Sequence, residues 1–162
     1  MRISDWSSDV CSSDLPVPLA ISKLRVSWKM NGFVKGASSE TEKIKEGDDF
    51  PLRIGLMIKG SKPIVPFFAP AWAKALGDLM VLPSNHMVYF VLGAKSSPGE
   101  IWKSPFSNSI ETRAVQSIQN DSGWSIADQT FSPIEVVGLW IMGDGDNTKS
   151  VFSASVNELV LE

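Results

Sequence analysis

The stretch SKLRVSWKM, which runs from Ser22 to Met30, decides the fold. Its large apolar side chains fall on every second residue, with basic and hydroxyl side chains between them. An alternation of period two places one set on each face of an extended chain, which is typical of a half-buried β-strand. We therefore predict a strand here, with Leu24, Val26, Trp28 and Met30 facing a core.

Five further segments have the same extended character, either as alternating patterns or as short apolar runs. These predicted strands cover residues 50–59, 87–92, 110–118, 134–142 and 151–161. Because the aliphatic face of each strand must be buried against a second layer, we predict an all-β fold. The expected architecture is an antiparallel β-sandwich or jelly roll.

One apolar segment breaks this pattern. Residues 63–83 are long enough to span a membrane, but they contain four prolines together with Lys74 and Asp78. Prolines and charged side chains are unfavourable in lipid, so we predict no transmembrane segment. We predict instead a loop followed by one short helix over residues 70–80, which caps an end of the sandwich.

The first fifteen residues, MRISDWSSDVCSSDL, differ in composition from the rest of the chain. They are rich in Ser and Asp, show no period, and lack the basic and apolar regions of a signal peptide. Residues 2–15 resemble a translated sequencing adapter of the kind that recurs at the ends of assembled metagenomic genes. We expect residues 1–15 to be a non-native, unstructured leader, and residues 16–162 to form a single β-sandwich domain that is incomplete at its N terminus.

Charge and composition exclude several classes of function. The 162 residues include 15 basic and 18 acidic side chains, which give a formal charge of −3 and argue against a nucleic-acid partner. Cys11 is the only cysteine and His86 the only histidine, so a disulfide framework or a zinc site is not expected. The chain has no G-x-S-x-G motif, and we interpret His86 as a strand-end residue rather than a catalytic one.

Two acidic clusters border predicted strands and are the main candidates for a ligand site. Their candidate residues are Asp48, Asp49, Asp144, Asp146 and Asn147. Adjacent carboxylates repel each other and need a cation, an arginine or backbone donors nearby. In one interpretation both clusters lie at one rim of the sandwich and bind Ca²⁺ or polar hydroxyls through oxygen ligands. In the other they are turn residues that accept backbone hydrogen bonds, with Arg53 or Lys149 balancing the charge.

Aromatic side chains in polar stretches supply the remaining candidate. Trp102, Phe106 and Trp124 lie in turn-rich segments, where exposed rings could stack on the apolar faces of sugars. We add Trp102 to the predicted ligand-binding residues; the alternative is that these rings close the ends of the core. A pair of carboxyl groups for glycoside hydrolysis could come from the aspartates or from Glu100, Glu111 and Glu135, but no spacing favours a pair.

Three segments carry a family resemblance: GDDFPLRIGLMI (47–58), VYFVLGAKSSPGEIWKSPFSNSIETRAVQS (88–117) and VVGLWIMGDGDNTKSVFSASVNELVL (136–161). Over residues 24–161 the chain resembles the bacterial family catalogued as domain of unknown function 3047. GDDFP and GDGDNT are the most specific motifs. The chain departs from the family in having YFV at 89–91 in place of Tyr-Val-Trp, and in a shorter segment after Trp124. Members also usually begin several dozen residues before the strand at residues 24–30.

The resemblance implies a periplasmic or secreted β-sandwich of galactose-binding or lectin-like type, without an established activity. We therefore expect a non-catalytic module that binds a carbohydrate or another cell-envelope ligand. The alternatives are a carboxylate-dependent hydrolase acting on glycans and a purely structural module. No cofactor is expected, apart from Ca²⁺ as a candidate ligand of the acidic clusters.

Overall fold

The computed structural model describes residues 10–61, 83–117 and 123–162, which form strands and almost no helix. The strands are β1 (Val10–Gly32), β2 (Phe50–Lys59), β3 (Ser84–Ala94), β4 (Ile101–Ser104), β5 (Ser107–Ser117), β6 (Ser125–Asp144) and β7 (Phe152–Leu161). A single turn of 3₁₀ helix spans Thr41–Lys43. The predicted all-β class is confirmed. The predicted helix over residues 70–80 lies outside the described residues.

The seven strands belong to one sheet, in the order β4-β5-β3-β2-β6-β1-β7. Strands β3 and β5 pair in parallel and every other pair is antiparallel. The prediction of separate, purely antiparallel sheets is therefore corrected to a single mixed sheet. The physical reason is β4, because the chain reverses into this short edge strand and reverses again into β5, which restores the direction of β3.

This sheet folds over so that its two halves face each other. Strands β1 and β5 are separated by three strands in the sheet, and in a flat sheet they would lie about 19 Å apart. The indole Nε1 of Trp28 on β1 nevertheless donates a hydrogen bond of 2.6 Å to Oε1 of Gln116 on β5. Phe90 of β3 also packs on Phe131 of β6, with ring centroids 5.1 Å apart. Two facing layers of extended chain therefore arise from one continuous sheet.

The pairing of the long strands β1 and β6 is irregular at two places, and prolines lie at both. The register of this pair shifts between Asp14 and Leu19, and again between Ile21 and Lys23. Pro16 and Pro18 fall in the first break, and Pro133 falls in the segment of β6 opposite the second. Proline has no amide hydrogen to donate to a neighbouring strand, so it is tolerated at such irregularities and weakens the ladder there.

The beginning of β1 differs from the expected unstructured leader. The backbone of residues 10–14 pairs in order with residues 142–138 of β6. Ladder hydrogen bonds join main-chain groups and need no particular side chains, so a segment without hydrophobic period can still extend a strand. The structure therefore places residues 10–15 in the sheet, while a non-native origin of residues 1–15 stays a prediction.

Each face of the sheet carries its own hydrophobic cluster. The interlayer core lies between the two halves; its buried members include Ile21, Leu24, Val26, Trp28, Leu52, Ile54, Leu56, Phe90, Leu92, Val136, Ile141 and Val156. The outer core lies on the opposite face of the central strands; its buried members include Phe50, Met57, Tyr89, Val91, Ile110, Ala114, Val137 and Trp140. Strands β2 and β3 and the part of β6 over residues 136–141 are largely buried on both faces, which explains their nearly continuous apolar sequences. Within the described ranges, no helix has the length and apolarity needed to cross a membrane.

Candidate functional site

The two acidic motifs meet at one end of the sheet, where β2 begins and β6 ends. Phe50 of the GDDFP motif (residues 47–51) pairs directly with Asp144 of the GDGDNT motif (residues 143–148). Antiparallel pairing therefore brings the start of one strand beside the end of the other. The motifs are almost a hundred residues apart in the chain, and the sheet places their polar side chains in a single cluster.

Asp49 ties the two motifs together. Its Oδ1 accepts hydrogen bonds from the backbone and side-chain amides of Asn147, at 3.4 and 2.8 Å. Its Oδ2 accepts bonds from the backbone amide and the hydroxyl of Thr148, both at 2.6 Å. Asp49 is buried, so these donors supply the compensation that a carboxylate needs when it is removed from water.

Arg53 lies beneath the cluster and is 4% exposed. Its Nη1 donates to Oδ2 of Asp48 at 3.1 Å, and its Nη2 donates to the main-chain oxygen of Asp48. The same Nη2 reaches Oδ2 of Asp144 at 3.4 Å. The guanidinium also lies 4.9 Å from the ring centroid of Phe50, a cation–π contact. Asp48 and Arg53 therefore form a buried ion pair that supports Asp144 from below.

Burial alters the proton affinity of two carboxyl groups in the cluster. Removal from water raises the pKa of Asp144 to about 6, although the positive charge of Arg53 acts in the opposite direction. Burial also raises the pKa of Asp48 above its ordinary value, again against the effect of Arg53. The low-dielectric surroundings disfavour the charged form, and one arginine offsets this only in part.

A cleft of about 510 Å³ opens beside the GDGDNT turn. Leu52, Ile141, Ala154 and Val156 contribute an apolar floor that continues the interlayer core. The polar part of its wall comes from the turn and its flank, namely Asp144, Asp146, Lys149 and Ser150. Its shape and its mixed lining are those of a small-molecule site, in which a few polar groups orient a ligand over apolar surface.

Phe152 forms one side of the cleft and is held against the turn by close backbone contact. A β-carbon on Gly145 would lie 2.8 Å from Cε1 of Phe152 and 3.0 Å from the main-chain oxygen of Ser150. Glycine at residue 145 therefore lets the ring pack directly against the turn. The aromatic surface lies next to the residue that separates Asp144 from Asp146 in the sequence.

Three carboxylates approach one another closely enough to share a cation. Asp49, Asp144 and Asp146 each have an oxygen within 4.8 Å of the others. Hard oxygen ligands of this kind suit Ca²⁺, which takes six to eight of them. Both oxygens of Asp49, however, already accept hydrogen bonds from Asn147 and Thr148. Two carboxylates of the cluster, those of Asp144 and Asp146, are therefore more available to a cation than that of Asp49.

The predicted site residues do not all reach the cleft. Asp144 and Asp146 line the cleft. Asp49 instead accepts a hydrogen bond from the side chain of Asn147, and Asp48 pairs with Arg53. Trp102 lies apart from the cleft, since its ring packs on Phe50 in the outer core with centroids 6.2 Å apart. The structure therefore brings the acidic residues together and leaves the tryptophan on the other face of the sheet.

The glutamates considered for hydrolysis are not gathered in one place. Glu100 bonds to Lys43, Glu111 to Arg113, and Glu135 to Lys59. His86 lies on β3 opposite Ile58, and partial burial lowers its pKa below the ordinary value. None of these side chains lines the cleft.

Three residues near the site or in its supporting core were not predicted from the sequence: Phe152, Thr148 and Glu42. Phe152 is the first residue of β7, directly beyond the glycine-rich turn, and this position is the signal that could have identified it. Thr148 is the last residue of the GDGDNT motif, so its place in the motif is the signal that could have identified it. Glu42 is buried and accepts the backbone amides of Lys95 and Ser96, at 2.5 and 2.9 Å, which no sequence pattern indicates.

Comparison with known proteins places the chain in a family. No curated protein and no solved structure matches it. A family model, described as protein of unknown function (DUF3047), matches residues 10–160, which include both motifs of the site and all but the last residue of β7. The chain therefore belongs to the DUF3047 family.

Proposed function

We propose that the protein is a non-catalytic module that binds a carbohydrate or a similar cell-envelope ligand in the cleft beside the GDGDNT turn. The observation that carries this proposal is the combination of an aromatic ring, Phe152, with two carboxylates, Asp144 and Asp146, along one cleft. Sugar rings have an apolar face that packs on aromatic rings and hydroxyls that donate to carboxylates. The lining therefore suits both sides of a sugar.

The size of the cleft supports the same proposal. Its volume of about 510 Å³ lies within the range of small-molecule sites and leaves room for a short oligosaccharide rather than a folded partner. A finer assignment as a jelly roll of galactose-binding or lectin type, and a periplasmic or secreted location, belong to this proposal. The two facing layers of strands are consistent with that type of fold.

A glycan array tests the proposal, followed by thermal-shift titration of each glycan that binds, with and without Ca²⁺. A ligand that binds only the folded state raises the melting temperature progressively with its concentration. We expect at least one glycan to bind, and we expect Phe152→Ala and Asp146→Asn to weaken it. Trp102→Phe should leave binding unchanged, because that ring packs in the outer core.

Asp128→Asn is the matched control for the aspartate variant, because Asp128 forms an ion pair with Arg25 away from the cleft. Failure of every glycan to bind the native chain would contradict the proposal. Binding that Trp102→Phe abolishes and Phe152→Ala preserves would relocate the site to the outer face.

A hydrolase that acts on glycans is the second candidate, and one observation favours it. Asp144 has a pKa of about 6, and the exposed Asp146 lies beside it. A carboxyl group with a raised pKa next to a second carboxyl group supplies the general acid of the pair that glycoside hydrolysis uses. Release of reducing ends from a bound glycan, lost in Asp144→Asn, would favour the hydrolase. Binding without release favours the module.

A further inference from the structure

The charges around the cleft are not balanced, and this imbalance indicates what its ligand carries. The GDDFP motif and the GDGDNT turn contribute four carboxylates, and two cations lie among them: Arg53, which is buried in its pair with Asp48, and Lys149 on the wall of the cleft. Four negative charges against two positive ones leave an excess of two negative charges. Within the described ranges, Lys149 forms no ion pair that would alter this balance.

A neutral ligand would leave this excess charge uncompensated. Asp144 has a side chain that is only 22% exposed, so covering it with a neutral sugar would remove much of its remaining hydration. Burying a carboxylate without an opposite charge is unfavourable, whereas a hydrogen bond from a cation is about twice as strong as one between neutral groups. The cleft therefore favours a ligand that brings a positive charge to Asp144 and Asp146.

A metal ion satisfies this requirement less well than an ammonium group does. Both oxygens of Asp49 already accept bonds from the turn, so a divalent cation would find two carboxylates where Ca²⁺ prefers six to eight oxygen ligands. An ammonium group needs only three acceptors, and it can be attached to an apolar ring. The ring of Phe152 packs on Gly145, between these two aspartates in the chain, so one sugar unit can reach both surfaces.

We propose that the cleft selects glycans that carry a free, protonated amino group, with the ammonium bound by Asp144 and Asp146 and the sugar ring packed on Phe152. This inference rests on the proposed function and narrows its ligand class. Selectivity for the amine comes from the carboxylates, and general affinity for sugar comes from the aromatic ring. The two contributions can therefore be separated by variants.

The experiment compares a glucosamine oligomer with its fully N-acetylated counterpart, by calorimetric titration of the full chain near neutral pH. We expect the free amine form to bind about tenfold more tightly, or better, since each charge-assisted hydrogen bond contributes on that scale. Added salt should weaken binding of the amine form and leave the acetylated form unchanged, because salt screens exposed charges.

Variants assign the selectivity to particular residues. Asp146→Asn should reduce the preference without unfolding the chain, because Asp146 is exposed. Lys149→Asn should increase the preference, since it removes a competing cation and Asn tolerates the left-handed backbone there, with φ of 52°. Phe152→Ala should weaken both oligomers equally, and Asp128→Asn should change neither.

Three other outcomes would contradict the proposed selectivity for amines, each for a different reason. Equal binding of the two oligomers would overturn the amine selectivity and leave the proposed function standing. Binding of neither oligomer, together with an empty glycan array, would overturn both. Tight binding of Ca²⁺ alone, lost in Asp146→Asn, would identify the carboxylates as a cation site and overturn the role of the amine.

Discussion

At the scale of single residues, the site depends on how each buried charge is compensated. Asp49 accepts hydrogen bonds from Asn147 and Thr148 at both of its oxygens. Asp48 accepts a bond from Arg53 at Oδ2, but its buried Oδ1 has no hydrogen-bond partner among the described residues. Asp144 is compensated only in part, by two long hydrogen bonds of 3.4 Å: one from an arginine nitrogen that also serves Asp48, and one from the backbone amide of Asp146. Asp144 is the incompletely compensated carboxylate that lines the cleft, where a ligand can supply a further interaction.

Replacing Arg53 by Met should be strongly destabilising. The variant leaves Asp48 buried without a cation, and removing one partner of a buried ion pair costs about 3–5 kcal/mol in the free energy of unfolding. Urea denaturation measures the loss. Arg25→Met is the matched control, because the Arg25–Asp128 pair is exposed and its loss should change stability little. Similar losses in the two variants would contradict the assigned role of Arg53.

The stability of the chain should carry a pH dependence from Asp144. Its pKa is raised to about 6 in the folded state, so the fold favours the protonated form. This contribution to stability is complete at pH below the ordinary pKa near 4 and is lost as the pH rises through about 6. The neutral variant Asp144→Asn should therefore gain stability relative to the native chain over that range, by about 2 kcal/mol or less.

Urea denaturation of both chains across this pH range measures the difference. Asp128→Asn is the control with the opposite sign, since the hydrogen bond from Arg25 lowers the pKa of Asp128. Its native carboxylate stabilises the fold above the ordinary pKa, and that contribution is lost as the pH falls. Difference curves of the same sign for the two variants would contradict the assignment of Asp144.

At the scale of elements, the turn between β6 and β7 depends on the contact between its backbone and Phe152. Gly145→Ala would place a methyl group 2.8 Å from Cε1 of the ring and 3.0 Å from a main-chain oxygen, so the turn or the ring must shift. Overpacking of this kind costs about 1–3 kcal/mol. Chemical denaturation measures the loss, and glycan titration should show weaker binding because the wall of the cleft has moved.

The double variant Gly145→Ala with Phe152→Leu separates the two contacts of this methyl group. Leucine lacks the ring edge, so part of the lost stability should return, while the contact with the oxygen of Ser150 remains. A double variant no more stable than Gly145→Ala alone would show that the ring contact does not limit the turn.

The sequence predicted the elements with clear alternation or with a continuous apolar run, and missed those with neither pattern. The predicted strand at 50–59 coincides with β2, and those at 87–92 and 134–142 lie within β3 and β6. The first half of β6 carries exposed residues such as Ile126, and β4 has only four residues, so neither presents an apolar face to detect. The parallel pairing of β3 and β5 was also beyond prediction, because period two is the same in parallel and antiparallel strands.

Only the acidic residues of the site could be predicted from the sequence. Acidic residues next to predicted strands indicated the cluster, and pairing of Phe50 with Asp144 brought its halves together. Which side chain faces the cleft depends on register, and the shift between Phe50 and Arg53 turns Phe50 toward the outer core. Trp102 of β4 packs on Phe50 at that face, a contact that sequence spacing alone does not reveal.

At the scale of the whole molecule, one side-chain hydrogen bond joins the two halves of the folded sheet. Trp28→Phe keeps an aromatic ring in the interlayer core but removes the donor to Gln116, at a cost of about 1–3 kcal/mol. Thermal unfolding measures this loss. The control is Trp124→Phe, because Trp124 is half exposed and its ring forms a cation–π contact with Lys29, 5.0 Å from the ring centroid. An equal loss in both variants would contradict a special role for the bond.

Strands β1 and β6 pass from one half of the sheet into the other, so their continuity has a consequence for how the molecule opens. Neither half can separate as an independent unit without breaking strands that it shares with the other. Amide hydrogens on β2, β3 and the central part of β6 should then exchange with solvent only through complete opening of the chain, at one common rate. The part of the cleft wall that belongs to β2 and β6 shares this rigidity, whereas the part on β7 is held by pairing with β1.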